Sequence, residues 1–207
     1  MTINRMQLAT SNTGKLREYQ RLAPASAVAL ELMPGFADVA VFEETAGTFA
    51  ENAAGKALYY SQFTDGFVLS DDSGICVDAL GGTPGVRSAR YGGPQANDTD
   101  RNLKLLREMR GKTDRAARFV CVTALAHRGR AIAIVSDFAA GSITEKIHGV
   151  GGFGYDPVFF VPELERTFAE ASPEDKDRLS HRGKAFRKML AAIAEDNHST
   201  FKARSAQ

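Results

Sequence analysis

Arg118-Phe-Val-Cys-Val-Thr-Ala-Leu-Ala126 and Ala131-Ile-Ala-Ile-Val-Ser-Asp-Phe138 are two long runs rich in apolar and β-branched residues, parted by a few polar ones around Arg128-Gly129. Such runs on either side of a glycine-containing turn predict a hairpin of long strands. What precedes them is organised differently. Met6 to Thr10 is a short apolar strand candidate, Ser11-Asn-Thr-Gly14 carries turn chemistry, and a helix is expected from Lys15 to Leu22. A second short strand is expected at Ala27 to Met33, closed by Pro34-Gly35. Thr48-Phe-Ala-Glu51 reads as a capping box opening a helix that runs to about Phe63. Alternating strands and helices followed by a long hairpin predict an α/β fold with a mixed central β-sheet flanked by helices.

Further along, Phe67 to Ser70 reads as a buried strand broken by Asp71-Asp72-Ser73-Gly74, and Ile75 to Leu80 as another, stopped by Gly81-Gly-Thr-Pro-Gly85. Asn97 to Met109 is a predicted helix with Leu103, Leu106 and Met109 on its core face. Pro157 to Val161 is a short strand candidate, and Ser172-Pro173 pairs an N-cap with a first-turn proline. Phe186, Met189, Leu190 and Ile193 mark the core face of a last helix, and the polar tail from about 197 to 207 is expected to fray. No internal repeat or linker divides the chain, so residues 1–207 are expected to form one domain.

Bulk properties exclude several classes. The 207 residues carry a formal net charge of +1, so no basic field points to nucleic acid. Arg87, Arg90, Arg101, Arg107 and Arg110 are interleaved with Asp98, Asp100 and Glu108, and no aromatic spacing suggests base stacking on strands. Cys76 and Cys121 each sit in an apolar run and are expected as buried free thiols. No run approaches a membrane span and no leader is evident, which predicts a cytoplasmic protein without membrane contact.

Four segments are richer in glycine and polar residues than plain connections require. Thr10-Ser11-Asn12-Thr13-Gly14-Lys15 places a loop, a helix N-terminus and a lysine together, which suits a phosphate cradle, although a strand-to-helix turn with an exposed lysine has the same pattern. It is not a Walker A loop, because Ala9 and Leu16 stand where that motif needs glycine and a hydroxyl residue. Glu43-Glu44-Thr45 and the helix after them form the second segment; adjacent loop acids ordinarily mean only a solvated surface, but Lys56 on that helix shares a face with Phe49, Asn52 and Tyr60 and has no acid at helical spacing, so it is either free to meet an anion or simply snorkelling. Asp71 and Asp72 sit beside an apolar strand, where neighbouring carboxylates are relieved by Mg²⁺ with substrate phosphates, or where they only form a turn. Gly149-Val-Gly-Gly-Phe-Gly154 spells a dinucleotide fingerprint, but a predicted strand follows rather than a helix, so that reading is rejected. Such a loop could lie flat on a ligand, with Phe153 stacking on a base. Lys176, His181, Arg182 and Lys184 then form a basic cluster after the Ser172-Pro173 cap, suited to an anion or to a plain surface helix.

Together these segments carry more than any one of them. Thr10 to Lys15, Phe49-Ala-Glu-Asn-Ala53, Asp71-Asp-Ser-Gly74, Gly81-Gly-Thr-Pro-Gly85, Ser88-Ala-Arg-Tyr91, Gly151-Gly-Phe-Gly-Tyr-Asp-Pro157 and Ser180-His-Arg-Gly183 occur in an order and spacing that resembles the inosine/xanthosine triphosphate pyrophosphatase family. That resemblance implies two lobes with a substrate cleft between them, Mg²⁺ dependence, a homodimer, and hydrolysis of ITP, dITP and XTP to the monophosphate and pyrophosphate. It also implies roles. Thr10, Ser11, Asn12, Thr13, Gly14 and Lys15 would hold phosphates. Glu43 and Asp72 would bind the metal, with Asp72 also the proton acceptor. Ser73 and Lys56 would contact the nucleotide. Phe153, Gly154, Tyr155, Asp156, Lys176, His181 and Arg182 would line the base and phosphate pocket. A 6-oxo purine presents an acceptor where adenine presents a donor, so a cation such as Arg182, or a backbone N–H, would select the base.

Overall fold

Strand β1 (Arg5–Leu8) leads through the 10–12 turn into helix α1 (Thr13–Leu22), and the chain returns as β2 (Ala29–Leu32), parallel to β1 with Arg5 opposite Ala29. The computed structural model describes residues 3–23 and 28–204, with side chains described to residue 194, so Ala27 and the last three residues of the tail lie outside the described residues. Helix α2 (Phe49–Tyr60) begins at Thr48, whose hydroxyl accepts from the Glu51 N–H at 3.2 Å. The Glu51 carboxylate accepts a hydrogen bond from that same hydroxyl at 2.8 Å. The threonine half of the predicted capping box therefore forms, while the glutamate meets the Thr48 hydroxyl in place of a backbone N–H.

Strand β3 (Phe67–Val77) corrects the predicted break. It is one strand of 11 residues, and Asp71 and Asp72 lie within it, 2% and 5% exposed. A strand tolerates buried carboxylates when each finds a partner, and both do. Gly74 allows a close approach: a Cβ there would stand 2.4 Å from both the Gly85 carbonyl and the Ser88 hydroxyl. Ser88 lies in a 3-10 turn (Gly85–Arg90), and its hydroxyl accepts from the Ile75 N–H at 2.9 Å while donating to Gly85 at 2.7 Å.

Helix α3 (Asp98–Glu108) has a full capping box between Asn97 and Asp100. Its buried face keeps two of the three predicted residues, Met109 in the core and Leu106 packed against it, and loses Leu103. Asn102, Leu105 and Met109 are buried, whereas Leu103 is 43% exposed. The expected hairpin forms from β4 (Ala116–His127) and β5 (Arg130–Ile143), longer than predicted, around Arg128 and Gly129 with φ +48° and +73°. Two successive positive φ values match the twist of a tight hairpin turn. The predicted strand near Pro157 is shorter, β6 (Phe159–Val161), because residues 156–158 form a 3-10 turn. After β7 (Arg166–Thr167), Ser172 caps α4 (Pro173–Leu179) as expected, and α5 runs from His181 to Arg204. The backbone is therefore helical through 197–204, where fraying was expected.

The strands form a mixed seven-stranded sheet in the order β2-β1-β3-β4-β5-β6-β7, parallel at β2-β1-β3 and antiparallel at β5-β6-β7. The chain divides into two compact units. The first (Met1–Asp72, Cys121–Asp137, Arg182–Gln207) has a core of Met6, Leu8, Tyr19, Leu69, Leu125, Phe186 and Met189. The second (Ser73–Val120, Phe138–His181) packs Ile75, Val77, Leu105, Met109, Phe119, Phe159 and Phe168.

Candidate active site

The first unit carries an acid-and-lysine cluster built on β3, α1 and α2. Asn12 serves as the N-cap of α1, its carbonyl oxygen accepting from the Lys15 N–H at 3.0 Å, and the Asn12 N–H in turn meets the Thr10 hydroxyl at 3.2 Å. Ser11, Asn12 and Thr13 are exposed and Gly14 is buried. This leaves an accessible helix N-terminus, where N–H groups and the helix dipole favour an anion. Lys15 turns its ammonium to Asp71, 3.1 Å from Oδ2 and 3.3 Å from the backbone carbonyl.

Asp71 and Asp72 leave successive positions of a strand and so face opposite ways. Asp71 Oδ2 also receives Arg182 Nη2 at 3.2 Å and lies 3.7 Å from the Cys121 thiol. Burial pushes the Asp71 carboxyl up, but Lys15 and Arg182 outweigh it and hold the group well below the usual carboxylate range. Asp72 Oδ2 accepts from Asn52 Nδ2 at 3.0 Å. Its carboxyl is raised by burial and by the nearby Glu44, against the opposing pull of Lys15, Asn52 and Lys56. Lys56 is paired with Glu44, so the acid missing at helical spacing comes from the preceding loop. Asn52 also ties that loop down, exchanging hydrogen bonds with the Ala46 N–H at 3.0 Å and the Ala46 carbonyl at 3.4 Å. Glu43 in the same loop is exposed.

Arg182 is 1% exposed and fully engaged by carboxylates, those of Glu18 and Asp71. Burial disfavours its charge, yet these two acids keep the guanidinium firmly protonated. The structure thus gives Arg182 acidic partners, where the sequence suggested a base contact.

The second unit carries a basic and aromatic cluster. Asp156 is 2% exposed, forms an ion pair with Lys176 on α4, and accepts from the Phe153 N–H at 2.8 Å. The Lys176 ammonium lies 4.8 Å from the centroid of the Phe153 ring. Gly152 has φ +71°, and a Cβ there would meet the Asp156 carboxylate at 2.1 Å. Tyr155 is buried and its hydroxyl donates to the Ser88 carbonyl at 2.8 Å. The His181 ring stacks on Phe119 at 4.7 Å and 8°. Ser73 is half-buried in β3.

Several participants received no site role from the sequence: Glu18, Glu44, Asn52, Asp98 and Asn102, Glu44 being read only as solvated surface. Two of them had a signal. Asn52 lies one helical turn before Lys56, and Glu18 three residues after Lys15, so each shares a face with a lysine already singled out.

Among the described residues no three His, Cys, Asp or Glu side chains converge to hold a metal ion. A protein cage for a transition metal is therefore not what these residues offer. Mg²⁺ is held through one or two carboxylates, water and substrate phosphates. A buried Asp72 raised partly by a neighbouring acid fits that need, because a divalent cation relieves the repulsion that raises it.

Comparison with known proteins agrees with this chemistry. The Ham1 family model matches residues 6–192. A dITP/XTP pyrophosphatase of Gloeobacter violaceus is 50% identical over 187 residues, 90% of this chain and 93% of that protein. One from Acidobacterium capsulatum is 48% identical over 91% of this chain and 97% of its own length. The solved structure of a HAM1 protein from Coxiella burnetii superposes with a TM-score of 0.83 at 36% identity, covering 94% of this chain and all of that one. The resemblance carried by the seven motif segments is borne out, and the chain belongs to the Ham1 family.

Proposed function

We propose that the chain hydrolyses the non-standard purine nucleoside triphosphates ITP, dITP and XTP at the α–β linkage, releasing the nucleoside monophosphate and pyrophosphate and so clearing deaminated purines from the nucleotide pool. The observation that carries the reading is the buried Asp72 carboxyl, 5% exposed and held by Asn52 at 3.0 Å, in the same unit as two lysines, Lys15 and Lys56, that are each set against an acid and act on its charge. That arrangement suits a group that meets a polyanion and a divalent cation and takes a proton from water.

The α1 N-terminus, from Thr10 to Lys15, binds phosphate oxygens through backbone N–H groups and the Lys15 ammonium. Lys56 offsets further phosphate charge, and Ser73 contacts the nucleotide. Asp72 with Glu43 would hold Mg²⁺, which when bound neutralises triphosphate charge and polarises the phosphorus under attack. Asp72 accepts the proton of the attacking water, a role that a raised carboxyl performs better than an ordinary one. Phe153, Gly154, Tyr155, Asp156, Lys176 and His181 are assigned to the base and phosphate pocket, while Arg182, held by Glu18 and Asp71, serves by fixing Asp71 and with it Lys15. Phe153 stacks on the purine, and the Lys176 ammonium beside that ring, or a backbone N–H, rewards a 6-oxo acceptor and leaves a 6-amino donor unmet. Catalysis is then mainly positioning and electrostatics.

We assign both units to one catalytic domain that works as a homodimer in the cytoplasm. Exposed Ile132, Ile134 and Phe138 on alternate positions of β5 support self-association. Two free cysteines and the lack, among the described residues, of any helix long and apolar enough to cross a membrane are compatible with that location. The test is pyrophosphate release from dITP, XTP, dGTP and dATP with and without chelator. Fast, chelator-sensitive release from dITP and XTP is expected. Equal rates on dATP would remove the base assignment, and release of orthophosphate in place of pyrophosphate would remove the reaction.

A further inference from the structure

Helix α3 turns a stripe of Leu105 and Met109 into the core of the second unit, and the next position of that stripe is Asn102, 2% exposed. A buried amide is costly unless both its ends are paired. Only one end is. Nδ2 donates to the Gly154 carbonyl at 3.0 Å, and Oδ1 is buried without a hydrogen-bond partner. Four residues earlier on the same helix, Asp98 Oδ2 accepts from the Gly154 N–H at 2.7 Å. The two side chains therefore hold the peptide groups on both sides of one α-carbon, whose φ is +63°. The neighbours of Gly154 are tied as well, Phe153 through its N–H to Asp156 and Tyr155 through its hydroxyl to Ser88. A glycine-rich loop would otherwise sample many conformations. Here it is pinned at consecutive residues by groups that lie mostly outside it. A core position that keeps an unpaired amide oxygen, where leucine would pack without one, marks geometry retained at the expense of stability.

We propose that Asn102 and Asp98 are positioning residues for base selection. They fix the backbone at Gly154 and with it the Phe153 ring, and so set the discrimination between 6-oxo and 6-amino purines. This rests on the assignment of residues 153–156 to the base pocket. The physical reason is directional. A donor rewards an acceptor only within a narrow range of distance and angle, which a loosened loop loses. Phosphate charge, by contrast, is assigned chiefly to Thr10–Lys15 and Lys56 of the first unit, so the loss falls on KM and base preference more than on kcat.

The experiment compares dITP and dATP kinetics for Asn102→Leu, Asp98→Ala and Asp98→Asn, with Phe153→Ala as reference. Asn102→Leu should melt no lower than the parent, because it removes the orphaned oxygen and keeps the core filled. Its dITP-over-dATP ratio of kcat/KM should fall by about tenfold or more, the range in which one pocket contact discriminates. Asp98→Ala, at the partly exposed end of the helix, should lose the ratio too, while Asp98→Asn keeps a carbonyl acceptor and should restore it. An unchanged ratio in both Asn102→Leu and Asp98→Ala overturns the proposal, as does a fall in kcat alone. If Phe153→Ala raises KM for dITP while those two variants keep the parent ratio, the proposal fails and the base-pocket reading survives. An unchanged KM in Phe153→Ala removes both.

Discussion

Asp71 and Asp72 are consecutive residues of β3 whose carboxyls are driven in opposite directions. Asp71, between Lys15 and Arg182, is held ionised far into acid, while Asp72, against Asn52 with Glu44 nearby, is raised above the ordinary carboxylate value. Pairs whose environments separate them in this way divide structural from chemical duty. Asp71 locks the lysine and arginine in place, and Asp72 stays available to gain a proton.

Asp72→Asn is therefore expected to lose activity and gain stability. Removing a general base costs about 10²- to 10⁴-fold in turnover. The stability effect follows from the raised carboxyl. The folded state holds its proton more tightly than the unfolded state, so stability falls as pH rises through that window and the penalty is complete at neutral pH. Asparagine carries no such penalty and can still accept from Asn52. Thermal melts at pH 7 should favour the variant, and the gain should vanish below about pH 4, where the unfolded carboxyl is protonated as well. A variant less stable than the parent at neutral pH would contradict the raised value.

Glu44→Gln tests the same coupling without touching Asp72. Removing a neighbouring negative charge eases ionisation of Asp72, and it also releases Lys56 from its partner. Both changes act in one direction. The acid limb of the pH profile of kcat/KM should move to lower pH, and an unmoved or upward-shifted limb would show that Asp72 does not titrate in it.

The contrast between these aspartates also explains what the sequence could and could not reveal. Asp-Asp-Ser-Gly has the composition of a turn, and the strand passes through it only because Lys15, Arg182 and Asn52 meet the charges from distant positions in the chain. Such long-range pairing leaves no local trace. Asn102 was hidden for a related reason: apolar periodicity selects Leu103 and Leu106 and skips a polar residue in a core slot. Features set within a few residues were legible. Thr48 and Ser172 cap their helices where read, and the β4–β5 hairpin turns at Arg128-Gly129. Site motifs were legible as motifs, but the pairings that orient them, Glu18 with Arg182, Glu44 with Lys56 and Asn52 with Asp72, were not.

Asp71→Asn should destabilise the fold, because it leaves Lys15 and Arg182 facing a neutral amide. Breaking a buried ion pair on one side costs about 3–5 kcal/mol. Here the carboxyl is depressed in the folded state, so its contribution is complete above about pH 4, the ordinary aspartate value, and is lost as pH falls toward the folded value. Denaturant titrations of parent and variant should therefore differ strongly at pH 7 and begin to converge only as pH falls below about 4, the gap narrowing further with each step into acid. A constant difference across that range would assign the loss to packing and not to charge.

Self-association can be tested away from the chemistry. Ile134 and Phe138 are 49% and 53% exposed on one face of β5, and Ala139 and Ile143, on the opposite face, are already buried. A glutamate at either exposed position leaves the folded core untouched but places a charge in any interface formed there, where desolvating it without a partner is unfavourable. Ile134→Glu and Phe138→Glu should elute as monomers in size-exclusion chromatography with light scattering, with melting temperatures that no longer rise with protein concentration, since an obligate dimer links stability to protomer concentration. A parent that is itself monomeric at micromolar concentration, or variants that remain dimeric, would place the association surface elsewhere or remove it.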